Sequence, residues 1–567
     1  MSLQRTGRSF VVLCVFVLLV GALSLVASFP VRGAAPRTLF VSSTGAGAVC
    51  TQASPCGLQT ALNQAANADT IIVAEGFYYA TDAAVISITR SITLCGAWDG
   101  APTGAVVRNP KLYPSVIDGE KERRGVYASG GISFTLDGFV VENGNATGVP
   151  RPLRGGGIYV YQARPILLNN LIRSNLAGAP VDPSSWCYGG GIYVDHPTGP
   201  ALISGNEVTD NAAAVGCYGV GGGIGLSSAT RAVVSDNSIR GNAGSSGGSG
   251  YGGGMSAVSC DDLEINDNDL EDNAGSVDAP AGHARGGAIY LEHCLAGEVE
   301  RNLISGNVGS ETGDGSGGGM TAYWCDLLWV LDNRFVDNIA SVADGKAGDG
   351  GALNIGVAHD VLIARNEIWS NMANMTGGSG GALWMDSDVS FRVANNIIAK
   401  NAAGIHGGGL ALWADATRRI TGTLEHNTFV ANNQGAGDGQ VAVFVESDSV
   451  RLQLINNLFS EHSMAVRVPP GSSAALSGTL FYMNSVANTG GGGTITSVSA
   501  ITGLDPLLDG GAHLMRGSPA IDAGVHSSLI TDIDGDPRPY GAGYDIGADE
   551  WVPPRQVYLP LVVRHNS

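Results

Sequence analysis

The chain has 567 residues, a net charge of −20 and only four lysines, Lys111, Lys121, Lys346 and Lys400. That balance argues against a nucleic-acid partner, because phosphate binding needs a basic surface. Glycine contributes 84 residues and charged residues only 14%. The segments between glycine clusters are rich in Val, Ile and Leu, which excludes disorder and fits many short strands joined by tight turns.

In chain order, Arg5 and Arg8 precede an apolar run over 10–27, and Gly33-Ala34-Ala35 follows. This pattern predicts a secretory signal peptide over 1–35 and hence a secreted or cell-surface protein. An uncleaved anchor is the alternative, since the run approaches the length of a membrane span. Cys14 follows Leu13, a residue too large for a lipobox. No later segment is long and apolar enough to span a membrane. Residues 36–135 read as an N-terminal cap and first rungs. Within them 57–66 (GLQTALNQAA) is amphipathic, precedes an apolar strand at 70–74, and is suited to cover an open apolar end.

Regular repeats fill 136–465. One anchor, Gly-Gly-Gly/Ala-apolar, ends at Ile158, Ile192, Ile224, Met255, Ile289, Met320, Leu353, Leu383 and Leu410. The other is a pair of asparagines five apart, from Asn170/Asn175 to Asn427/Asn432, with Asn457/His462 once more and Gly138/Asn143 once earlier. After each glycine cluster apolar residues alternate, as in Ile192 and Val194, which is strand periodicity. No repeat offers a helical stripe. Repeats of this size predict three strands and three turns per turn of a right-handed parallel β-helix, an all-β solenoid of about ten or more rungs. Stacking at about 4.8 Å per rung should place the asparagines in amide ladders. Asn tolerates the left-handed turn conformation, and the glycines should supply positive φ at a corner.

The run TLFVSS, then CTQASPC, then ADTIIVAEGFY resembles the opening of secreted bacterial proteins with pectin-lyase-like β-helices. Near the other end, GSPAIDAG (517–524), TDIDGDPRP (531–539) and YDIGADEW (544–551) resemble the choice-of-anchor Q domain of bacterial surface proteins. The resemblance implies a C-terminal β cap over 466–551, followed by a tail, 552–567. It implies no chemistry, because one fold hosts lyases, hydrolases, adhesins and inert shafts. The apolar stretch 558–563 is too short to span a bilayer and reads as a sorting tag or docking strand.

The cysteines suggest staples. Cys260, Cys294 and Cys325 each lie five residues after an anchor, on consecutive rungs, so two can pair while the third stays free. Cys187 and Cys217 occupy successive loops, and Cys50 and Cys56 can close the N-terminal turn.

Candidate chemistry is sparse. Asp261-Asp262 with Gly282-His283 resembles a pairing in pectin-degrading hydrolases, but the two pairs are out of phase and the Arg-x-Lys element is missing. An acidic stripe follows the first strand: Asp261, Asp262, Asp326, Asp360, Asp388 and Asp415. Asp326 and Asp360, on adjacent rungs, are the weak catalytic candidates, at the separations of roughly 5 to 9.5 Å that glycosidases use. Asp532, Asp534 and Asp536 resemble the opening of a calcium loop, although Pro537 stands where Gly is wanted and no Glu closes it. Calcium is thus a possible ligand, and no cofactor is required. Outward positions of the first strand carry Tyr159, Tyr161, Tyr193, Tyr290, Tyr323, Trp384 and Trp413, with Asp195, Glu292 and Asp386 on the same face. Exposed aromatic platforms bind sugar rings by flat apolar contact. The expectation is a surface or adhesin-like protein that binds polysaccharide along its length without catalysis. A polysaccharide lyase or hydrolase and a structural spacer are the alternatives.

Overall fold

The computed structural model describes residues 35–414 and 417–553. The signal-peptide segment, Asp415 and the 558–563 stretch lie outside the described residues. The described residues from Arg37 onward form one unit, a right-handed parallel β-helix. A sheet of 28 strands forms one side, a sheet of fifteen a second, and two six-stranded sheets close part of the circumference.

One rung shows how the sequence builds the fold. Ile192–Asp195 is the first strand, then come Leu202–Ser204, Glu207–Thr209, Ala212–Val215 and Tyr218–Val220. Gly221, Gly222 and Gly223 return the chain to Ile224 of the next rung. The regular rungs therefore carry five short strands, two more than the periodicity suggested. The extra two, before each glycine cluster, are only two to four residues long and share no apolar pattern, AAAV and YGV in this rung, so they read as loop. The first glycine of the cluster has positive φ, +69° at Gly221. The second is required for a different reason: a Cβ on Gly222 would overlap the carbonyl oxygens of Ala243 and Gly253. Only glycine lets the corner backbones of adjacent rungs approach so closely.

The anchor residues stack in register, Ile192 on Ile224, Met255, Ile289, Met320, Leu353, Leu383 and Leu410. All are buried in one core running along the interior. Burial of each side chain contributes about 1.5–3 kcal/mol.

Both asparagine ladders form. Asn302 Nδ2 donates to Asn333 Oδ1 (3.0 Å) and to the Ile265 carbonyl (2.9 Å). Its Oδ1 accepts from the backbone N–H and Nδ2 of Asn268 at 2.9 and 3.0 Å. The second ladder repeats this from Asn175 to Asn432 and ends on His462 Nε2, 3.3 Å from Asn432 Nδ2. Two details differ from expectation. The left-handed residue is the one before each ladder asparagine, such as Arg301 at +54°, because the asparagine itself must aim its amide along the ladder. The Gly138/Asn143 pair is one residue out of register: Phe139 and Gly144 occupy the ladder positions, donating their N–H groups to Asn170 and Asn175 Oδ1.

The helix Leu58–Gln64 packs Ala61 and Leu62 into the same core as Leu39 and Val41. At the other end, strand pairing runs past 465 without a break, through Met464–Ala487, Ala474–Ile495 and Leu480–Ile501. Residues 503–553 carry no further ladder strand. They fold back along the flank, where Ile546 and Ala520 pack with Leu458 and Leu480. Ala548 N–H donates to Thr428 Oγ1 (2.8 Å), and Ser527 Oγ donates to Glu425 (2.7 Å). The buried Arg538–Glu550 ion pair, 2.7 Å, holds this segment together.

Among the cysteines, Cys50 and Cys56 are bonded. The other six described cysteines are thiols. Cys187 and Cys217 Sγ lie 3.0 Å apart in a small apolar pocket. Cys260, Cys294 and Cys325 share the core on three successive rungs.

A candidate glycan groove at the glycine corner

Two side-chain ladders flank the glycine corner. The first-strand ladder runs Tyr127–Tyr159–Tyr193–Gly225–Ser256–Tyr290–Thr321–Asn354–Trp384. Beside it, two residues on, runs Tyr161–Asp195–Ser227–Val258–Glu292–Tyr323–Gly356–Asp386–Trp413. These outward positions are as the alternation requires. Their exposure is not. Tyr159, Tyr193, Tyr290 and Trp384 are buried, Tyr161 and Tyr323 are half-buried, and only Trp413 is open at 38% exposure.

For the tyrosines the reason is the strand before the glycine cluster, which lies against them across the corner. Its last residue forms a ladder of its own: Arg154, Tyr188, Val220, Tyr251, Arg285, Ser316 and Asp349. Tyr188 faces Tyr193 with ring centroids 5.5 Å apart, and Tyr251 faces Tyr290 at 5.4 Å. Further out, Trp186 stacks on Tyr218 at 4.8 Å and on Tyr251 at 5.5 Å, while staying 44% exposed. The signal was present as the residue directly before each glycine cluster, but that stretch reads as variable loop.

Between the ladders lie two connected-in-sequence hollows. One, of about 470 Å³, is lined by Arg154, Tyr161, Tyr188, Tyr193, Asp195 and His196, with Ser227 and Ser256 on its floor. The next, of about 340 Å³, is lined by Trp186, Tyr188, Tyr251, Arg285, Tyr290 and Glu292. Asp195 is buried and accepts from Tyr159 Oη (3.2 Å), Arg154 (3.5 Å) and His196 Nδ1 (2.6 Å). Arg285 has no ion-pair partner among the described residues; its guanidinium lies over the Tyr323 ring at 4.7 Å. Farther along, Tyr323 Oη bonds Asp386 at 3.3 Å, reaching over Gly356. Burial, with Asp386 and Glu446 nearby, pushes the Asp349 carboxyl up to about 6.

The catalytic candidates Asp326 and Asp360 lie on adjacent rungs, one position out of level. Asp326 stands beside His359, whose Nδ1 lies 3.0 Å away. Asp360 is one residue farther round, level with Leu327, because Trp329 pairs with Leu362. The described members of the acidic stripe are solvated, and His359 lies between Asp326 and Asp388. His283 is level with Asp314, and Asp261 accepts from Leu295 N–H, so those two pairs do not stack on each other.

In the C-terminal segment the converging acids are Asp532, Asp534 and Asp549, not Asp536. Asp536 contributes its backbone: its N–H donates to Asp532 Oδ1 at 2.7 Å, and its carbonyl accepts from Asp532 N–H at 3.0 Å. Asp532 also accepts from Asp534 and Glu550 N–H groups. His513, 3.3 Å from Asp534 and pushed up to about 9 by it, supplies the positive charge. Each of the three acids offers a carboxylate oxygen, and these lie within 4.8 Å of one another; calcium would complete its six to eight oxygens with carbonyls and water.

A family model described as a right handed beta helix region matches residues 122–335. No curated protein matches the chain in sequence. Among solved structures, the pectate lyase Pel9A is 13% identical, with 91% of this chain and 96% of that one covered at a TM-score of 0.25. The periplasmic alginate epimerase AlgG (a double mutant) is 12% identical over 73% and 82%, TM-score 0.34. XylC in complex with xylose is 10% identical over 90% and 98%, TM-score 0.36. Similarity this distant assigns no chemistry to the chain. No helix among the described residues is long and apolar enough to cross a membrane.

Proposed function

We propose that the protein is an exported β-helix that binds polysaccharide in the groove at the glycine corner. The observation that carries this is the aromatic lining of two successive hollows, Trp186, Tyr188, Tyr251 and Tyr290 interleaved with Arg154, Asp195, Arg285 and Glu292. Flat rings suit the apolar faces of sugars, and the charged groups between them suit hydroxyls and carboxylates. A rigid solenoid repeats such subsites along its axis, which suits a polymer better than a small molecule. Export rests on the N-terminal segment and surface attachment on the C-terminal resemblance. The test is binding of the full-length protein to a panel of neutral and acidic polysaccharides, with Trp186→Ala and Tyr188→Ala variants. Retention by at least one polymer, weakened in both variants with unchanged melting, supports the groove. No retention by any polymer favours the spacer reading.

A further inference from the structure

We propose that the corner after the first strand is a docking surface for a basic polypeptide segment with an apolar centre. It lies at the opposite end of that strand from the glycine corner and does not depend on the groove.

Each rung makes this corner with two left-handed positions, the residue that follows the first strand and the residue three farther on. Ser228, Ser259, His293 and Trp324 hold the first, at φ of +51° to +55°. Arg231, Asp262, Ala296, Leu327 and Asp360 hold the second, at +51° to +57°. Short polar side chains take up this conformation readily, and bulky apolar ones rarely do. Trp324 and Leu327 therefore do not serve the turn. They do not serve the core either, since each is 44% exposed. Leu295, one rung before, is 48% exposed, and Trp329, facing outward on the second strand, is 38% exposed. His293 stacks flat on Trp324, with ring centroids 4.9 Å apart, and stays open to solvent. The rungs of Ile289 and Met320 stack directly, so these five large side chains share one exposed patch.

The rim of the patch is acidic. Asp261 and Asp262 lie one rung before it, Asp326 within it and Asp360 one rung beyond, all exposed. His359 stands 3.0 Å from Asp326, and no lysine or arginine among the described residues forms an ion pair with any of the four. An exposed apolar patch inside a polar rim marks an interaction site, and tryptophans are among the side chains that carry most interface energy. A rim of one sign sets the sign of the partner, so an acidic glycan, a nucleic acid or an anionic lipid surface is repelled. Leu295 and Leu327 offer no ring face to a sugar, whereas aliphatic side chains bury apolar area against them. What fits is a polypeptide segment with apolar residues at its centre and Lys or Arg around them.

The experiment titrates the full-length protein, by calorimetry, with three synthetic peptides of one length: alternating Lys and Leu, alternating Lys and Ser, and alternating Glu and Leu. A glucosamine polymer is the fourth probe. The Lys/Leu peptide should bind saturably, more weakly as salt is raised, and about tenfold or more tighter than the other three probes. Trp324→Ala and Trp329→Ala should each lower its affinity about tenfold or more. Leu327→Asn, which suits the +57° φ of this position, should lower it without loss of melting temperature. The double variant Asp326→Asn, Asp360→Asn should weaken binding at low salt and flatten the salt dependence. Trp186→Ala, in the groove, should leave peptide binding unchanged, and the patch variants should leave polysaccharide retention unchanged. Absence of Lys/Leu binding, equal binding of the Lys/Ser peptide, tighter binding of the glucosamine polymer, or undiminished binding by folded Trp324→Ala and Leu327→Asn variants overturns the docking surface and leaves the groove standing.

Discussion

Asn302→Ala tests whether the asparagine ladder is a stabilising structure or a passive consequence of stacking. The substitution removes the Oδ1 that accepts from Asn268 N–H and Nδ2 at 2.9 and 3.0 Å. Both donors belong to a buried residue. Asn268 Nδ2 keeps the Val234 and Asn266 carbonyls, so one buried donor, the Asn268 N–H, is orphaned, and the loss should be about 1–3 kcal/mol. Because a solenoid rung contacts only its neighbours, the weakening should be local. Urea unfolding followed by circular dichroism gives the overall shift. Native-state hydrogen exchange should show faster exchange at Asn268 and on the rungs either side. Thr421→Ala, on an exposed face of the same solenoid, is the control and should change stability by about 0.5 kcal/mol or less. An Asn302→Ala shift no larger than that control would refute the reasoning.

Cys187 and Cys217, with Sγ atoms 3.0 Å apart, should form a disulfide in oxidising medium, read by non-reducing peptide mapping. Of Cys260, Cys294 and Cys325, one should remain a thiol that alkylates only after denaturation. Gly356→Ala should cost about 1–3 kcal/mol, because a Cβ there overlaps Tyr323 and Asp386; a thermal melt checks it. Asp349 has a folded pKa raised to about 6 from an unfolded value of about 4. The folded state therefore binds its proton more tightly, and this contribution is present below about pH 4 and lost as pH rises to about 6. Asp349→Asn should flatten the stability profile across that window, and an unchanged slope would contradict the assignment.

How much was legible in the sequence depended on which signal repeated. The anchors at Ile224, Met255, Ile289 and Met320, the two asparagine ladders and the in-phase cysteines recur at fixed offsets, and each sits where the offset puts it. The groove was half legible. Alternation placed Tyr193 and Tyr290 outside the core, but exposure depends on what lies across the corner. The covering strand ends in Tyr188, Val220, Tyr251 and Arg285, a series without common chemistry. Counting along the chain puts Asp326 and Asp360 on adjacent rungs, where they are, but they are not level: Asp326 is level with His359. The flank packing of residues 503–553 depends on single contacts such as Ala548 with Thr428, and no repeat announces them.

Intrinsic fluorescence of Trp186 during a polysaccharide titration tests the groove most directly. Trp186 is one of eight tryptophans, so the signal is the difference between the native protein and Trp186→Phe. A saturable change that vanishes in that variant is expected, with affinity lowered roughly tenfold by Tyr251→Ala. A polymer that binds with the same affinity to all three proteins, with no Trp186 signal, would place the binding surface elsewhere and contradict the groove.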